Sequence, residues 1–268
     1  RLVGSEMCIR DRTKASTLNF ADLLLSSGMY QSNPKTPFVP GFEVAGTVRE
    51  CNVDSKFAVG DRVVAATTVF RSGRHGSFGE YCVASENLAY KLPEEISYEA
   101  GAAILMSYLT SDFALHRRAQ LKKDEIVLVN AAAGGVGISA VQLAKIEGAK
   151  VIAAASSEDK INLCIQHGAD EGLIYPSGEL NRNQQKELSS KIKELTGGAG
   201  ANVVYDPVGD TYSEPCIRAT AWDGRYLVIG FAAGQIPKIP TNLALLKGMK
   251  IIGVFWGAWV GMFPEENK

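Results

Sequence analysis

The stretch "VLVNAAAGGVGISAVQLAK", Val127 to Lys145, opens with the pattern of a buried strand and closes with a helical one. Gly134, Gly135 and Gly137 lie between the two patterns. Laid against G-x-G-x-x-G, the glycine positions fall on Ala132, Gly134 and Gly137, so the first glycine is replaced by the next smallest residue. Gly134 lets the backbone approach a pyrophosphate, and Gly137 lets the helix pack closely on the strand. The helix N-terminus at Gly135 and Val136 turns its free N–H groups and the positive end of its dipole toward the phosphates. Such a motif alone is weak. Here it stands after the first strand of a βαβ series and opens a helix, the context that gives it meaning.

Outward from this stretch the alternation continues. "KVIAAASS" is followed by a helix over Lys160 to His167, "EGLIY" by a polar helix from Gln184 to Leu195, and "NVVYDPVG" by a helix over Tyr212 to Ala221. "RYLVIGF" then leads through a loop to "MKIIGVFWG". Short, fully apolar strands alternating with helices predict an α/β domain with a doubly wound parallel Rossmann sheet. Toward the N-terminus the texture differs. "PFVPGFEVAGTV", "FAVGDRVVA" and "GSFGEYCVA" are short apolar runs broken by glycine and proline, which read as a smaller, mostly β domain. "SYEAGAAILMSYLTSDFALHRRA" has helical spacing, with Ser97 as N-cap, and reads as the hinge. The expected division is 13–108 for the first domain and 109–268 for the second.

The first dozen residues, "RLVGSEMCIRDR", do not fit this pattern and lack the apolar core of a secretory signal. They resemble translated sequencing adapter. Residues 1–12 are therefore set aside as a non-native scar, with the native N-terminus expected to be missing. The composition of the whole chain is ordinary for a globular protein: 268 residues, 46% hydrophobic, 21% charged, formal net charge −1. No basic stripe supports binding to nucleic acid or an anionic membrane. The apolar run from Ile251 to Phe263 is too short and too glycine-broken to span a bilayer. Cys8, Cys51, Cys82, Cys164 and Cys216 form no C-x-x-C pair and suit reduced thiols in a cytoplasmic or mitochondrial-matrix compartment.

The end of the second strand selects the dinucleotide. An NAD site places Asp or Glu about 20 residues after the fingerprint, on the ribose 2′-hydroxyl. This chain has Ala154, Ala155, Ser156 and Ser157 there, with Lys160 one turn later. Hydroxyls and an ammonium suit a 2′-phosphate, which points to NADP(H). Glu158 and Asp159 read as favourable first-turn helix residues. The competing reading makes Ser156 an N-cap and Lys160 a solvated lysine.

With a small β domain before the hinge and this fingerprint after it, the chain resembles the medium-chain dehydrogenase/reductase superfamily, and within it the zinc-free NADPH:quinone oxidoreductase (zeta-crystallin-like) branch. The stretches that carry the resemblance are "NFADLLLSSGMY", "PGFEVAGTV", "GSFGEYCVA", "NAAAGGVG", "SSEDK" and "RYLVIGFAAGQIPKIPTNLALLKG". It implies a GroES-like first domain. Zinc-dependent members carry a Cys ligand where this chain has Asn19, and a His ligand where it has Phe42, between Gly41 and Glu43. Asn and Phe supply neither thiolate nor imidazole, so no metal is expected. Without a Lewis acid, the implied reaction is hydride transfer from NADPH to an acceptor that is already electrophilic, a quinone or an α,β-unsaturated carbonyl.

The resemblance further implies site residues. Asn19 and Thr110 would contact the nicotinamide end, Gly134, Gly135, Val136 and Gly137 the pyrophosphate, and Ser156, Lys160 and Tyr175 the adenosine 2′-phosphate. The loop Ile229 to Phe231 would line the nicotinamide pocket. Asn19 also reads as a turn or cap residue, and Tyr175 as a half-exposed strand end. Tyr30 is the candidate for the acceptor side or for proton donation, with a packing role as the alternative. Family members extend beyond both ends of this chain, so the first domain is expected to be incomplete. "KIIGVFWGAWVGMF" would form an edge strand, and a bare apolar edge predicts a homodimer. Two other functions stay open: an enoyl-thioester reductase of the same superfamily, and an NADPH-binding protein without turnover.

Overall fold

The computed structural model describes residues 8–71 and 73–267. It divides into two compact units, one of the residues through Leu109 together with those from Gly257 onward, the other Thr110–Trp256. The sequence reading assigned the residues from Gly257 onward to the second domain.

In the first unit, β1 (Cys8–Ala15), β2 (Glu43–Glu50), β3 (Arg62–Thr67) and β4 (Tyr81–Lys91) close into an antiparallel barrel. Buried Ile9, Val44, Val48, Val63 and Ala84 form its core together with Phe57. α1 (Phe20–Ser26) precedes β2, and α2 (Tyr98–Ala102) follows β4. β1 begins inside the stretch set aside as a scar. There Asp11, opposite Val48 and Cys82, is fully buried, and among the described residues neither carboxylate oxygen has a hydrogen-bond partner. Burial pushes its ionisation from 3.8 up to about 7.

The hinge segment is not one continuous α-helix. Ser97 caps α2 as expected, its hydroxyl accepting the Ala100 N–H at 3.1 Å. The helix then stops, and π-helical turns at Leu105–Leu109 and Phe113–Arg118 flank the short α3 (Thr110–Asp112).

The second unit is a six-stranded parallel sheet in the order β10-β9-β8-β5-β6-β7. Its strands are β5 (Ile126–Val129), β6 (Lys150–Ala155), β7 (Glu171–Ile174), β8 (Ala201–Asp206), β9 (Thr220–Val228) and β10 (Lys250–Gly253). The helices are α4 (Gly135–Ile146), α5 (Glu158–Gln166), α6 (Arg182–Leu195), α7 (Asp210–Arg218) and α8 (Asn242–Lys247). The chain winds from β5 outward to β7, then crosses to β8 and winds the other way. The switch between β5 and β8 leaves a crevice at the carboxyl ends of the strands, where open α/β sheets bind ligands. α6 starts two residues before Gln184, where the sequence placed the start of this polar helix. Asn181 Oδ1 accepts the Gln184 N–H at 3.0 Å, and Gln184 Oε1 in turn accepts the Asn181 N–H at 2.9 Å. Leu188 and Ile192 of α6 and Cys216 and Ile217 of α7 bury one sheet face with Leu128, Ile152 and Leu173. Full burial of each large aliphatic side chain stabilises by about 1.5–3 kcal/mol.

The C-terminal stretch departs from the expected long strand. β10 ends at Gly253, and Trp256–Met262 forms α9. Trp256 and Val260, four residues apart, are both buried, which is a helical period rather than a strand period. Among the described residues no helix is long and apolar enough to cross a membrane.

Candidate functional site

The fingerprint lies at the switch point. β5 ends at Val129, and Ala131 takes a left-handed φ of +46°. The chain then folds back, Ala131 O accepting the Gly134 N–H at 2.9 Å, and α4 begins. A Cβ on Gly137 would lie 2.4 Å from Ala131 O and 2.7 Å from Ala132 Cα, so only glycine fits there. Gly134 and Gly135 are exposed and Val136 is half-buried, which leaves the first turn of a twelve-residue helix open to an anion. Ala132, in place of the first glycine, is fully buried, and its N–H is held by Ala154 O at 3.1 Å.

At the end of β6 the two serines separate in role. Ser157 caps α5, and Ser156 accepts a hydrogen bond from Lys160 Nζ at 2.8 Å. The structure thus brings Ser156 and Lys160 together and gives the cap to the neighbouring residue. Glu158 and Asp159 are exposed in the first turn of α5, as expected of dipole partners. Ser156 also faces a groove of about 300 Å³ bordered by Tyr175, Pro176 and, from α6, Gln184, Glu187 and Lys191.

Tyr175 does not stand half-exposed at a strand end. It is 6% exposed, and its hydroxyl accepts the Ala131 N–H at 3.2 Å. Burial pushes its phenol well above the ordinary range, so it stays protonated.

Thr110 begins α3, and its neighbour Ser111 is a residue the sequence reading missed. Ser111 Oγ meets Val136 O at 3.0 Å, Ser139 Oγ at 2.8 Å and Tyr205 OH at 2.8 Å, tying α3 to the first turn of α4. Asp206 was missed as well. Its buried carboxylate accepts from Asn130 Nδ2, the Val208 and Gly209 N–H groups, Ser213 and the Tyr226 hydroxyl. Its carbonyl accepts the Ile229 N–H at 3.0 Å. That network fixes the start of the Ile229 to Phe231 loop, and Phe231 packs where a Cβ on Gly209 would lie 2.9 Å from its ring. An aspartate ending an apolar strand was the available signal.

In the first unit, Asn19 is the N-cap of α1, and its backbone N–H donates to Asp22 at 2.9 Å. Its side-chain amide donates to Glu43 Oε1 at 2.9 Å. Glu43 is fully buried and also accepts from Thr17 and the Met106 N–H. Burial raises its pKa, and these donors counteract the rise. Phe42 is fully buried, 5.2 Å from the ring of Tyr30. Burial and the Asp22 charge raise the pKa of Tyr30, so its phenol keeps its proton at neutral pH. Among the described residues no group of three His, Cys, Asp or Glu is placed to hold a metal ion.

Two family profiles match the chain. The alcohol dehydrogenase GroES-like domain covers residues 6–94, and the zinc-binding dehydrogenase profile covers residues 135–267. Quinone oxidoreductase-like protein 2 of Rattus norvegicus is 38% identical over 244 residues, 90% of this chain and 66% of the relative. Quinone oxidoreductase of Sus scrofa is 33% identical over 91% of this chain and 70% of its own length. The crystal structure of Escherichia coli quinone oxidoreductase complexed with NADPH superposes with a TM-score of 0.82 at 28% identity, covering 95% of this chain and 74% of that one. The chain spans about two thirds of the length of the quinone oxidoreductase-like relatives.

Proposed function

Because the chain belongs to the zinc-free quinone oxidoreductase branch of the medium-chain dehydrogenase/reductase superfamily, we propose that it is an NADPH-dependent oxidoreductase acting on a quinone or α,β-unsaturated carbonyl. The observation that carries the cofactor assignment is the pairing of Ser156 with Lys160 beside a turn where Gly137 has no room for a side chain. NADPH, when bound, supplies the hydride. Gly135, Val136 and Gly137 present N–H groups of the α4 N-terminus to the pyrophosphate, and Gly134, whose own N–H is held by Ala131 O, lets the backbone approach it closely. Ser156 and Lys160 take the 2′-phosphate, a hydroxyl and an ammonium making charge-assisted hydrogen bonds to it. Thr110, Ile229 and Phe231 serve the nicotinamide end, with α3 held by Ser111 and the loop by Asp206. Asn19 is a further nicotinamide contact, its amide oriented by Glu43. Tyr30, protonated at neutral pH, is the candidate proton donor to the reduced acceptor.

The acceptor is a small molecule, and the protein is proposed to act as a homodimer in the cytoplasm. The dimer proposal rests on the sheet edge, where among the described residues β10 pairs with β9 alone and Ile251 and Phe255 are exposed.

The test is NADPH consumption with a simple para-quinone and a short enone, beside NADH and acceptor-free controls. Turnover that prefers NADPH is expected. NADPH binding without reduction of either acceptor would overturn the reductase reading in favour of a binding protein or a thioester substrate.

A further inference from the structure

Ala131 holds a backbone conformation that a Cβ disfavours, at the point where the proposed pyrophosphate turn leaves the sheet. Its carbonyl closes the turn on Gly134 and sets the contact that excludes a side chain from Gly137. Its N–H belongs to neither β5 nor α4. The partner of that N–H is the hydroxyl of Tyr175, at 3.2 Å. Tyr175 cannot swing freely: its ring packs against Tyr212 with centroids 5.0 Å apart and planes at 60°. The Tyr212 hydroxyl is in turn held by the carbonyls of Pro176 at 2.8 Å and Gly178 at 2.6 Å, in the segment that follows Tyr175.

We infer that Tyr175 is a positioning residue for the phosphate-binding turn, acting through Ala131 on the pyrophosphate that NADH and NADPH share, and not as a reader of the 2′-phosphate. Without the hydroxyl, the Ala131 N–H loses its partner and the left-handed turn loses the contact that offsets its strain. The turn then samples conformations in which the N–H groups at the start of α4 diverge from the pyrophosphate. This role rests on the reading that the turn binds the dinucleotide.

The experiment is Tyr175→Phe, with dissociation constants for NADPH and NADH measured well below the melting temperature. Both constants are expected to rise by the same factor, about three- to tenfold, the worth of one hydrogen bond. The ratio between them stays unchanged. Ala131→Gly added to Tyr175→Phe is expected to restore more than half of the lost affinity on a logarithmic scale, because glycine adopts positive φ without steric cost. A loss confined to NADPH would make Tyr175 a direct phosphate contact and overturn the inference. A lowered melting temperature with unchanged dissociation constants would also overturn it, leaving only a packing role. If the unsubstituted protein binds neither nucleotide, the cofactor reading itself falls, and that is seen before any variant is made.

Discussion

Lys160 has two readings in the sequence, a solvated lysine or a phosphate ligand, and the proposed function takes the second, with Ser156 as its neighbour at 2.8 Å. Lys160→Ala is expected to weaken NADPH binding by about 1.5–3 kcal/mol, the range of a charge-assisted hydrogen bond, and to leave NADH unaffected. Titration of the variant with both nucleotides checks it, and equal weakening would remove Lys160 from that role. Asp11 makes the opposite kind of prediction, about stability. Its carboxyl ionises near 7 in the fold against 3.8 ordinarily, so the folded state holds a proton that the unfolded chain has released. Stability from this group is complete below about pH 4 and is lost as pH rises toward 7, a difference of about 4 kcal/mol. Asp11→Val should therefore raise the melting temperature at pH 7 and flatten its decline between pH 4 and 7, relative to the unsubstituted protein. An unchanged profile would place the carboxylate in contact with water. Buried Asp22 and Glu43, whose pKa values are also raised, contribute the same sign to both proteins and cancel in the comparison. The nearness of Ser156 to Lys160 and the tight fit at Gly137 were readable because both depend on local spacing. The cap at Ser157 and the inward turn of Tyr175 depend on which way each side chain points, which spacing does not specify.

At the scale of elements, the turn from β5 into α4 is where sequence and structure agree most closely. The reading of Gly137 as the residue of close helix–strand packing has a direct counterpart in the 2.4 Å that would separate a Cβ from Ala131 O. Gly137→Ala is expected to cost about 1–3 kcal/mol of stability through forced backbone displacement. It should also weaken NADH and NADPH together. Denaturant unfolding and nucleotide titration measure the two effects, and an alanine tolerated without either would show that α4 can move away from the strand. Elements whose limits rest on tertiary packing were less legible. The hinge has a helical period throughout, yet it breaks after Ala102, because the segment after that point packs into wider π turns. The apolar stretch from Ile251 to Phe263 reads as a strand by composition. Burial at Trp256 and Val260 makes its second half helical.

At the scale of the whole molecule, the proposed dimer is the prediction that composition alone cannot supply. Sedimentation should give twice the chain mass at micromolar concentration, and Ile251→Lys on the edge strand should shift the equilibrium toward monomer. A mass of one chain, independent of concentration, would count against the interface. The parallel, doubly wound character of the second sheet followed from the sequence, because alternating apolar strands and helices with right-handed crossovers leave few arrangements; its strand order came from the structure. Closure of the barrel did not, because its four strands pair across long separations that the pattern of turns leaves unspecified. By itself the sequence determined the fold class, the position of the glycine turn between β5 and α4, and the lack of Asp or Glu from Ala154 to Ser157 at the end of β6. All three are set by residue type at short spacing, where backbone sterics and charge act locally. Only the tertiary structure decided that the Tyr175 hydroxyl meets the Ala131 N–H, that Ser111 and Asp206 fix the surrounding loops, and that Asp11 is buried with no hydrogen-bond partner among the described residues. Each of these depends on residues tens of positions apart meeting in a desolvated interior, where a single hydrogen bond made or missed carries its full weight.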